Sequence, residues 1–407
     1  MANEKMQKIY PWIVVALLSV VAFLNYLDRQ MLSTMQTAIG ADITELQQAQ
    51  NFGRLMAIFL WVYAIVSPFA GSIADRLSRK WLIVGSLAVW SLVTLLMGHC
   101  NTFSQMYWLR GLMGVSEALY IPSSLSLIAD YHAGKSCSLA VGLHMTGLYL
   151  GQAVGGFGAI FANALSWRMT FQWFGIIGVL YAVVLVFCLK EKRAPKAAAS
   201  ETKPGLSILK SFGLIFSNIA FWVILFFFAS TSLPGWATKN WLPTLFAQHI
   251  DGGMAVAGPV ATITIALASF IGVMVGGPMS DKWVKKNLKG RVYTSAIGLS
   301  MMIPALVLMG LGKGLVPAVA SGLIFGLGYG MFDTNNMPIL CQFVPSRLRA
   351  TAYGFMNMVG VAMGALCTTL LGKIPNLGLS FAILGGVTAV ALVLQLTILK
   401  PVTDDMQ

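Results

Sequence analysis

Long apolar runs recur along this chain, and their length constrains the fold more than any other feature. About twelve runs hold roughly 20 residues each, which lets an α-helix cross a hydrocarbon core of about 30 Å. Only 10% of the residues are charged, whereas a soluble chain carries about 25%. The sequence therefore predicts an all-α membrane protein with twelve transmembrane helices.

The seventh apolar run is too long for one straight helix. Pro234 and Gly235 predict a break in it, with 236–247 forming a bent outer end. The predicted spans lie at 12–36, 52–74, 81–99, 103–129, 138–162, 168–189, 213–247, 254–280, 292–312, 315–341, 349–372 and 377–399.

A stretch rich in Lys, Glu, Ala and Ser separates two groups of six spans, and it predicts a flexible cytoplasmic linker at 190–210. The N-terminal bundle is then 1–189 and the C-terminal bundle 211–407. A repeated loop supports this division, because the Asp75-Arg76 pair after the second span recurs as Asp281-Lys282 after the eighth. The prediction is two pseudo-symmetric six-helix bundles that arose by duplication.

The net charge of +13 follows from the predicted topology. Most of the 27 Lys and Arg residues lie in loops on the same side as the N-terminus. Basic residues mark cytoplasmic loops, so both termini are predicted to be cytoplasmic. The charge therefore gives no reason to expect nucleic acid as a partner.

Ionisable residues inside two predicted spans are the candidate working groups. Arg110 and Glu117 are seven residues apart, so they share one helix face, and Tyr120 follows in the same stretch. Asp28 and Arg29 adjoin each other in the first span. A charge at membrane depth costs roughly 2.5–3.5 kcal/mol on insertion scales. This cost favours a functional role in proton-coupled transport, although a buried structural ion pair and a helix end at the interface remain alternatives.

Polar and aromatic side chains in other spans are candidates to line a substrate cavity. For each the alternative is an ordinary interhelical hydrogen bond or an interfacial anchor. The Asn pair follows Asp333 and precedes Pro338, which predicts a broken or kinked helix there. The candidates are His144, Tyr149, Gln152, Trp236, Asn335 and Asn336.

The loop after the second span resembles that of the Major Facilitator Superfamily. It reads Gly71-x-x-x-Asp75-Arg76-x-x-Arg79-Lys80, and Asp281 belongs to a degenerate second copy. The resemblance covers the whole chain and implies two six-helix bundles that work as a monomer. It also implies that these residues act as a conformational latch.

Two further motifs resemble the anion:cation symporter branch, which includes sialin-like and sugar-acid transporters. They are Tyr26-x-Asp28-Arg29 in the first span and Arg110-Gly-x-x-Gly-x-x-Glu117 in the fourth. The resemblance implies that Asp28 and Glu117 carry protons and that Tyr26, Arg29 and Arg110 lie near the anion. The expected function is uptake of a small sugar acid driven by the proton gradient, with no cofactor or metal.

The same first-span motif also resembles the Spinster-like branch of lysolipid and sphingolipid transporters. Trp90-Ser-Leu-Val-Thr-Leu and Ile128-Ala-Asp130 resemble that branch too, and Asp130-Tyr131-His132 departs from the aromatic pair common in the symporters. An enzyme is not expected, because no HExxH and no nucleophile elbow is present. Short loops and the absence of an N-x-[ST] sequon favour a bacterial inner membrane.

Overall fold

The computed structural model describes residues 2–132, 136–191, 216–217, 219–344, 349–399 and 401, and within these ranges the regular structure is helical. The α-helices are α1 (Ala2–Thr34), α2 (Gln36–Asp42), α3 (Ala49–Arg76), α4 (Arg79–Met97), α5 (Phe103–Tyr131), α6 (Cys137–Gly155), α7 (Gly158–Leu165), α8 (Trp167–Cys188), α9 (Ile219–His249), α10 (Gly253–Val284), α11 (Gly290–Leu311), α12 (Leu315–Asp333), α13 (Asn336–Cys341), α14 (Arg349–Leu371) and α15 (Leu377–Ile398).

The helices match the predicted membrane architecture. Within the described residues, 11 spans are long and apolar enough to cross a membrane. The pair α6 and α7 passes the same criterion as one span bent by 51°, which brings the number to 12. The all-α membrane fold is therefore confirmed, and the bend in the fifth span is a feature that the sequence did not reveal.

The predicted break in the seventh span is wrong. Helix α9 runs without interruption from Ile219 to His249, with Pro234 and Pro243 inside it. Neighbouring helices can supply the hydrogen bonds that proline removes, so membrane helices tolerate it. Gly235 instead serves packing, since a Cβ there would lie 2.8 Å from the Tyr329 ring.

The predicted break in the tenth span is confirmed. Helix α12 ends at Asp333 and α13 begins at Asn336, so a turn interrupts the span from Leu315 to Cys341. Pro338 lies in the first turn of α13, where a missing N–H costs little. The interruption places a turn with polar side chains within a membrane span.

Two compact units divide the chain. The first unit comprises Met1–Asn51 and Ile58–Gly205, and the second comprises Phe52–Ala57 and Leu206–Gln407. Residues 192–210 of the predicted linker lie outside the described residues, so the predicted domain boundaries stay predictions.

The two units share one pattern of helix pairing. In the first unit α1 packs on α6 and α4 packs on α8, while Gly114 of α5 lies against the α3 backbone at Phe59. In the second unit α9 packs on α14, α11 on α15, and α10 on α12. The first and fifth, third and sixth, and second and fourth spans of each unit are thus partners. This correspondence supports a duplicated six-helix ancestor.

A glycine ladder brings α6 against α1. Gly147, Gly151 and Gly155 recur every four residues and therefore face the same neighbour. A Cβ at Gly151 would lie 2.2 Å from the carbonyl oxygen of Phe23, and one at Gly147 would lie 2.3 Å from that of Ser19. Close packing, the simpler interpretation of this glycine-rich span, accounts for the motif. The ladder fixes the helix that carries Asp28 and Arg29.

We expect Gly151→Ala to destabilise the protein by about 1–3 kcal/mol, because the added methyl group must push α1 and α6 apart. The measurement is thermal unfolding of the detergent-solubilised protein. Gly142→Ala is the matched control on the same helix, since a Cβ there meets nothing within 4 Å. The control should be neutral or stabilising by up to about 1 kcal/mol. Equal unfolding temperatures for the two variants would contradict the ladder.

Candidate functional site

A buried cluster of charged side chains lies inside the first unit. Helix α1 supplies Asp28 and Arg29, and α5 supplies Arg110 and Glu117. These helices are placed by close packing, because a Cβ at Gly114 would lie 2.7 Å from the Phe59 carbonyl oxygen of α3. The structure therefore brings together the four ionisable residues that the sequence singled out.

The Glu117 carboxylate is paired with Arg29. Arg29 Nε donates to Glu117 Oε2 at 2.5 Å, and the Glu117 side chain is fully buried. The sequence interpretation had Glu117 attracted to Arg110. Those two residues lie about 10.5 Å apart along the α5 axis, whereas Arg29 reaches Glu117 from the neighbouring helix. The buried amide of Asn25 also lies beside the Glu117 carboxyl.

Aromatic rings surround the two guanidinium groups. Arg29 Cζ lies 5.0 Å from the Tyr26 ring centroid, 4.7 Å from that of Phe59 and 5.2 Å from that of Tyr63. Arg110 Cζ lies 4.7 Å from the same Phe59 centroid. Cation–π contacts of this kind contribute about 0.5–2 kcal/mol each when desolvated. The rings stabilise the cations without neutralising them.

Arg110 is the least compensated charge of the cluster. It is only 4% exposed, and its Nη1 donates to Met113 Sδ at 3.0 Å, a weak neutral acceptor. Its Nε has no hydrogen-bond partner among the described residues. None of the carboxylates in those residues lies within 4.0 Å of its guanidinium. A buried cation in this state can accept an anionic ligand.

Asp28 has a neutral partner. Its side chain is buried, and Thr94 Oγ1 of α4 lies 3.1 Å from Asp28 Oδ2 as a donor. Among the described residues it forms no ion pair within 4.0 Å. The two carboxylates of the cluster therefore differ, since Glu117 is held by a cation and Asp28 by a hydroxyl.

Tyr120 and His144 form a neighbouring polar group. Tyr120 Oη donates to the Leu18 carbonyl oxygen at 2.8 Å, and its ring centroid lies 6.0 Å from that of His144. His144 Nε2 lies 3.5 Å from Ser124 Oγ. Further along α6, Tyr149 is half-buried and Gln152 is buried. The Tyr120 contact ties α5 to α1 and gives this residue a structural function.

The predicted residues of the second unit lie on α9 and at the break between α12 and α13. Asn335 is buried in the turn, and its Nδ2 donates to the carbonyl oxygen of Met331 in the last turn of α12 at 2.8 Å. Asn336 Nδ2 donates to Asp333 Oδ1 at 3.1 Å. Trp236 packs against the α14 backbone, because a Cβ at Gly364 would lie 2.2 Å from its Cδ1.

The predicted latch is described in part. Helix α3 continues through Arg76, but the side chains of Gly71, Asp75 and Arg76 lie outside what the structure describes. Arg79 pairs with Asp130 and donates from Nη1 to the Ser126 carbonyl oxygen at 3.3 Å.

The other two predicted latch residues lie at helix ends. Lys80 Nζ donates to the Val186 carbonyl oxygen at 2.7 Å, which ties α4 to α8. Asp281 is exposed in the last turn of α10, although the sequence placed it in a loop.

Glu191 contacts two of the predicted latch residues, and the sequence interpretation missed it. Its carboxylate accepts from Ser78 Oγ at 2.6 Å and from the backbone N–H of Lys80 at 2.8 Å and of Arg79 at 3.2 Å. A carboxylate at a helix N-terminus is favoured by the helix dipole. The available signal was Ser78, which is the N-cap of α4 and precedes the basic pair. Glu191 was instead assigned to the linker.

Aromatic and hydroxyl groups at the charge cluster were also missed. Phe59, Tyr63 and Thr94 belong to apolar spans, where such residues usually pack or bond to their own helix. Only tertiary structure shows that they face Asp28, Arg29 and the other charges. Among the described residues, His, Cys, Asp and Glu form no group that could hold a metal ion.

Comparisons with known proteins agree with this architecture. Residues 18–368 match the family model of the Major Facilitator Superfamily. A hexuronate transporter of Bacillus subtilis (strain 168) is 26% identical over 415 residues, covering 96% of this chain and 94% of that protein. The protein spinster of Drosophila melanogaster is 26% identical over 371 residues, covering 87% of this chain and 60% of that protein.

A solved structure shares the fold. It is a bacterial homolog to the human lysosomal transporter Spinster, in an inward-facing and occupied conformation. The TM-score is 0.78 at 18% sequence identity, and the match covers 95% of this chain and 96% of that one. At this identity the likeness concerns the fold alone.

Proposed function

This chain belongs to the Major Facilitator Superfamily, and on that premise we propose that it couples proton entry to the uptake of a small organic anion. The anion is a sugar acid of the hexonate or hexuronate kind. The chain is a transporter and not an enzyme, because its family and its relatives are transporters. The substrate class and the coupling ion are the proposed parts.

The observation that carries the proposal is the uncompensated guanidinium of Arg110. A buried cation costs several kcal/mol unless an anion or a set of hydrogen bonds offsets it. Its present partners are a thioether and an aromatic ring, neither of which carries a full charge. A carboxylate can form two parallel hydrogen bonds with a guanidinium, so a carboxylic acid is a suitable ligand.

The charge count of the cluster explains why protons accompany the anion. With Asp28 and Glu117 ionised, the net charge of the four side chains is zero, although no described carboxylate lies within ion-pair distance of Arg110. Each proton that binds adds one positive charge, which the carboxylate of the substrate can offset. Two protons taken up with one monoanion move a net charge of +1 inward, a gain of about 2.3 kcal/mol per 100 mV.

The proposed order of events follows from the partners of each carboxylate. Outside, Asp28 takes a proton because no described cation is in ion-pair contact with its carboxylate, and a single hydrogen bond from Thr94 stabilises the anion less than a guanidinium would. Protonation of Glu117 then releases Arg29, which joins Arg110 in binding the substrate. Inside, loss of both protons restores the Arg29–Glu117 pair and expels the anion. The transporter works by alternating access as a monomer, with the predicted latch residues holding one of its states.

The proposed location is a bacterial inner membrane with both termini in the cytoplasm. The basic loops support that orientation. In this arrangement the proton gradient points inward, which is the direction needed for uptake.

A second candidate function is transport of a lysolipid, as the Spinster-like motifs imply. The sequence similarity to the Drosophila spinster protein favours it. A lipid phosphate could also pair with Arg110. The two functions differ in the ligand, since only the first requires a small water-soluble acid.

The test is a substrate panel in proteoliposomes with an inward proton gradient. Radiolabelled hexuronates, hexonates, neutral hexoses and lysolipids are compared at equal concentration. We expect saturable uptake of at least one sugar acid, competition from related acids, and none from the neutral sugars. Movement of a lysolipid that sugar acids do not inhibit would overturn the proposal in favour of the second candidate.

A further inference from the structure

A second charged group lies in the second unit, and the proposed mechanism does not use it. Lys239 of α9 places its Nζ 4.9 Å from the Trp236 ring centroid and 5.5 Å from that of Tyr329 on α12. Asp333 lies one turn beyond Tyr329 at the end of α12. Lys239 and Asp333 therefore both lie near Tyr329, close enough for their opposite charges to attract each other.

The position of Asp333 places a carboxylate at a helix end inside a membrane span. The residue is exposed, and it ends α12 at the interruption of a membrane span. Asn336 Nδ2 is its hydrogen-bond donor, at 3.1 Å from Oδ1. Interrupted membrane helices of this kind form ion and substrate sites, because their free ends offer polar groups inside the membrane.

Lys239 is the charge that faces this carboxylate. Helices α10 and α11 also pack on α12, and Arg291 of α11 reaches the far side of the interruption, where its Nη1 donates to the Pro338 carbonyl oxygen at 3.3 Å. Lys239 is the cation placed beside Tyr329, one turn before Asp333. Ionisable residues inside membrane spans are rare and usually serve an ion or substrate pathway. Two opposite charges with one hydrogen-bond donor and two aromatic rings therefore form a site with a definite chemistry.

We propose that Asp333 and Lys239 form a second proton-gated anion site in the second unit. While Asp333 is ionised, its carboxylate balances the Lys239 ammonium. A proton on Asp333 removes that balance, and Lys239 then attracts an acidic group of the transported anion. This inference rests on the proposed function and extends it by adding one proton to each cycle.

The experiment measures proton entry and uptake of the most active sugar acid in the same proteoliposomes. The variants are Asp333→Asn and Lys239→Gln, with Lys313→Gln as a matched control at an exposed lysine outside the cluster. We expect Asp333→Asn to lower the number of protons per substrate by one. Lys239→Gln should raise the KM at least tenfold with a smaller change in kcat, and Lys239→Arg should restore most of the loss.

Failure of the proposed function and failure of the second site alone give different results. Wild type that takes up no anion with protons contradicts the proposed function itself. Normal coupling in wild type, with an unchanged proton ratio in Asp333→Asn and an unchanged KM in Lys239→Gln, overturns the second site alone. Asp333 is exposed, so Asp333→Asn should unfold at the wild-type temperature. If Asp333→Asn unfolds at a lower temperature, the comparison of Lys239→Gln with Lys239→Arg tests the second site. An increase in KM that arginine reverses supports the site, and an unchanged KM overturns it.

Discussion

Replacement of Arg110 by alanine is expected to reduce saturable anion uptake at least 100-fold. The residue is buried and its polar partner is the Met113 thioether, so its charge has no other described counterion in contact. A bidentate carboxylate contact is a charge-assisted hydrogen bond, and losing a desolvated one costs about 3–5 kcal/mol. The measurement is initial-rate uptake of the most active sugar acid over a range of concentrations.

Arg110→Lys separates charge from geometry. Lysine keeps the cation but cannot form two parallel hydrogen bonds, so we expect partial uptake with a raised KM. Thermal unfolding serves as the folding control. Removal of an uncompensated buried charge should leave the unfolding temperature of Arg110→Ala unchanged or higher. Wild-type uptake by Arg110→Ala would exclude this residue as the anion site.

Glu117→Gln should abolish proton-driven accumulation and preserve exchange of labelled for unlabelled substrate. Glutamine has the shape of protonated glutamate, so the variant can bind substrate and change state when loaded but cannot release a proton. The substitution also breaks the 2.5 Å pair with Arg29, and breaking a buried pair costs about 3–5 kcal/mol. The measurements are gradient-driven uptake, counterflow and thermal unfolding.

Asp28→Asn is the comparison that makes this result specific. Asparagine keeps an acceptor for Thr94, and Asp28 is not in an ion pair, so we expect a stability change below about 1 kcal/mol. Coupling should be lost in both variants, and stability only in Glu117→Gln. Full accumulation by either variant would show that the substituted carboxyl does not carry a coupling proton.

The fold could be predicted because each membrane helix appears in the sequence as a long apolar run. A run of about 20 apolar residues can satisfy its backbone in a bilayer only as a helix, so span number and class follow from the sequence alone. The predictions of helix breaks and bends failed where packing against neighbouring helices decides the backbone geometry. The proline in α9 left the helix intact, and the α6–α7 bend arose without a proline.

The charge cluster could be found from the sequence, but its pairing could not. Arg29, Arg110 and Glu117 stood out because charges are rare in apolar spans. Which arginine reaches Glu117 depends on how α1 lies against α5, two helices that the Tyr120–Leu18 hydrogen bond joins. Phe59 gave no signal, and Thr94 appeared only within a family motif, since aromatic and hydroxyl side chains are common in membrane helices.

The most direct test of the account measures charge movement when substrate is added. Proteoliposomes are held on a supported membrane with acidic external solution, and a sugar acid is applied while current and proton entry are recorded. We expect a saturable inward current, with protons entering in fixed proportion to substrate. The current should be lost in Arg110→Ala. Uptake of the acid without proton entry, or silence for all acids with movement of a lysolipid, would contradict it.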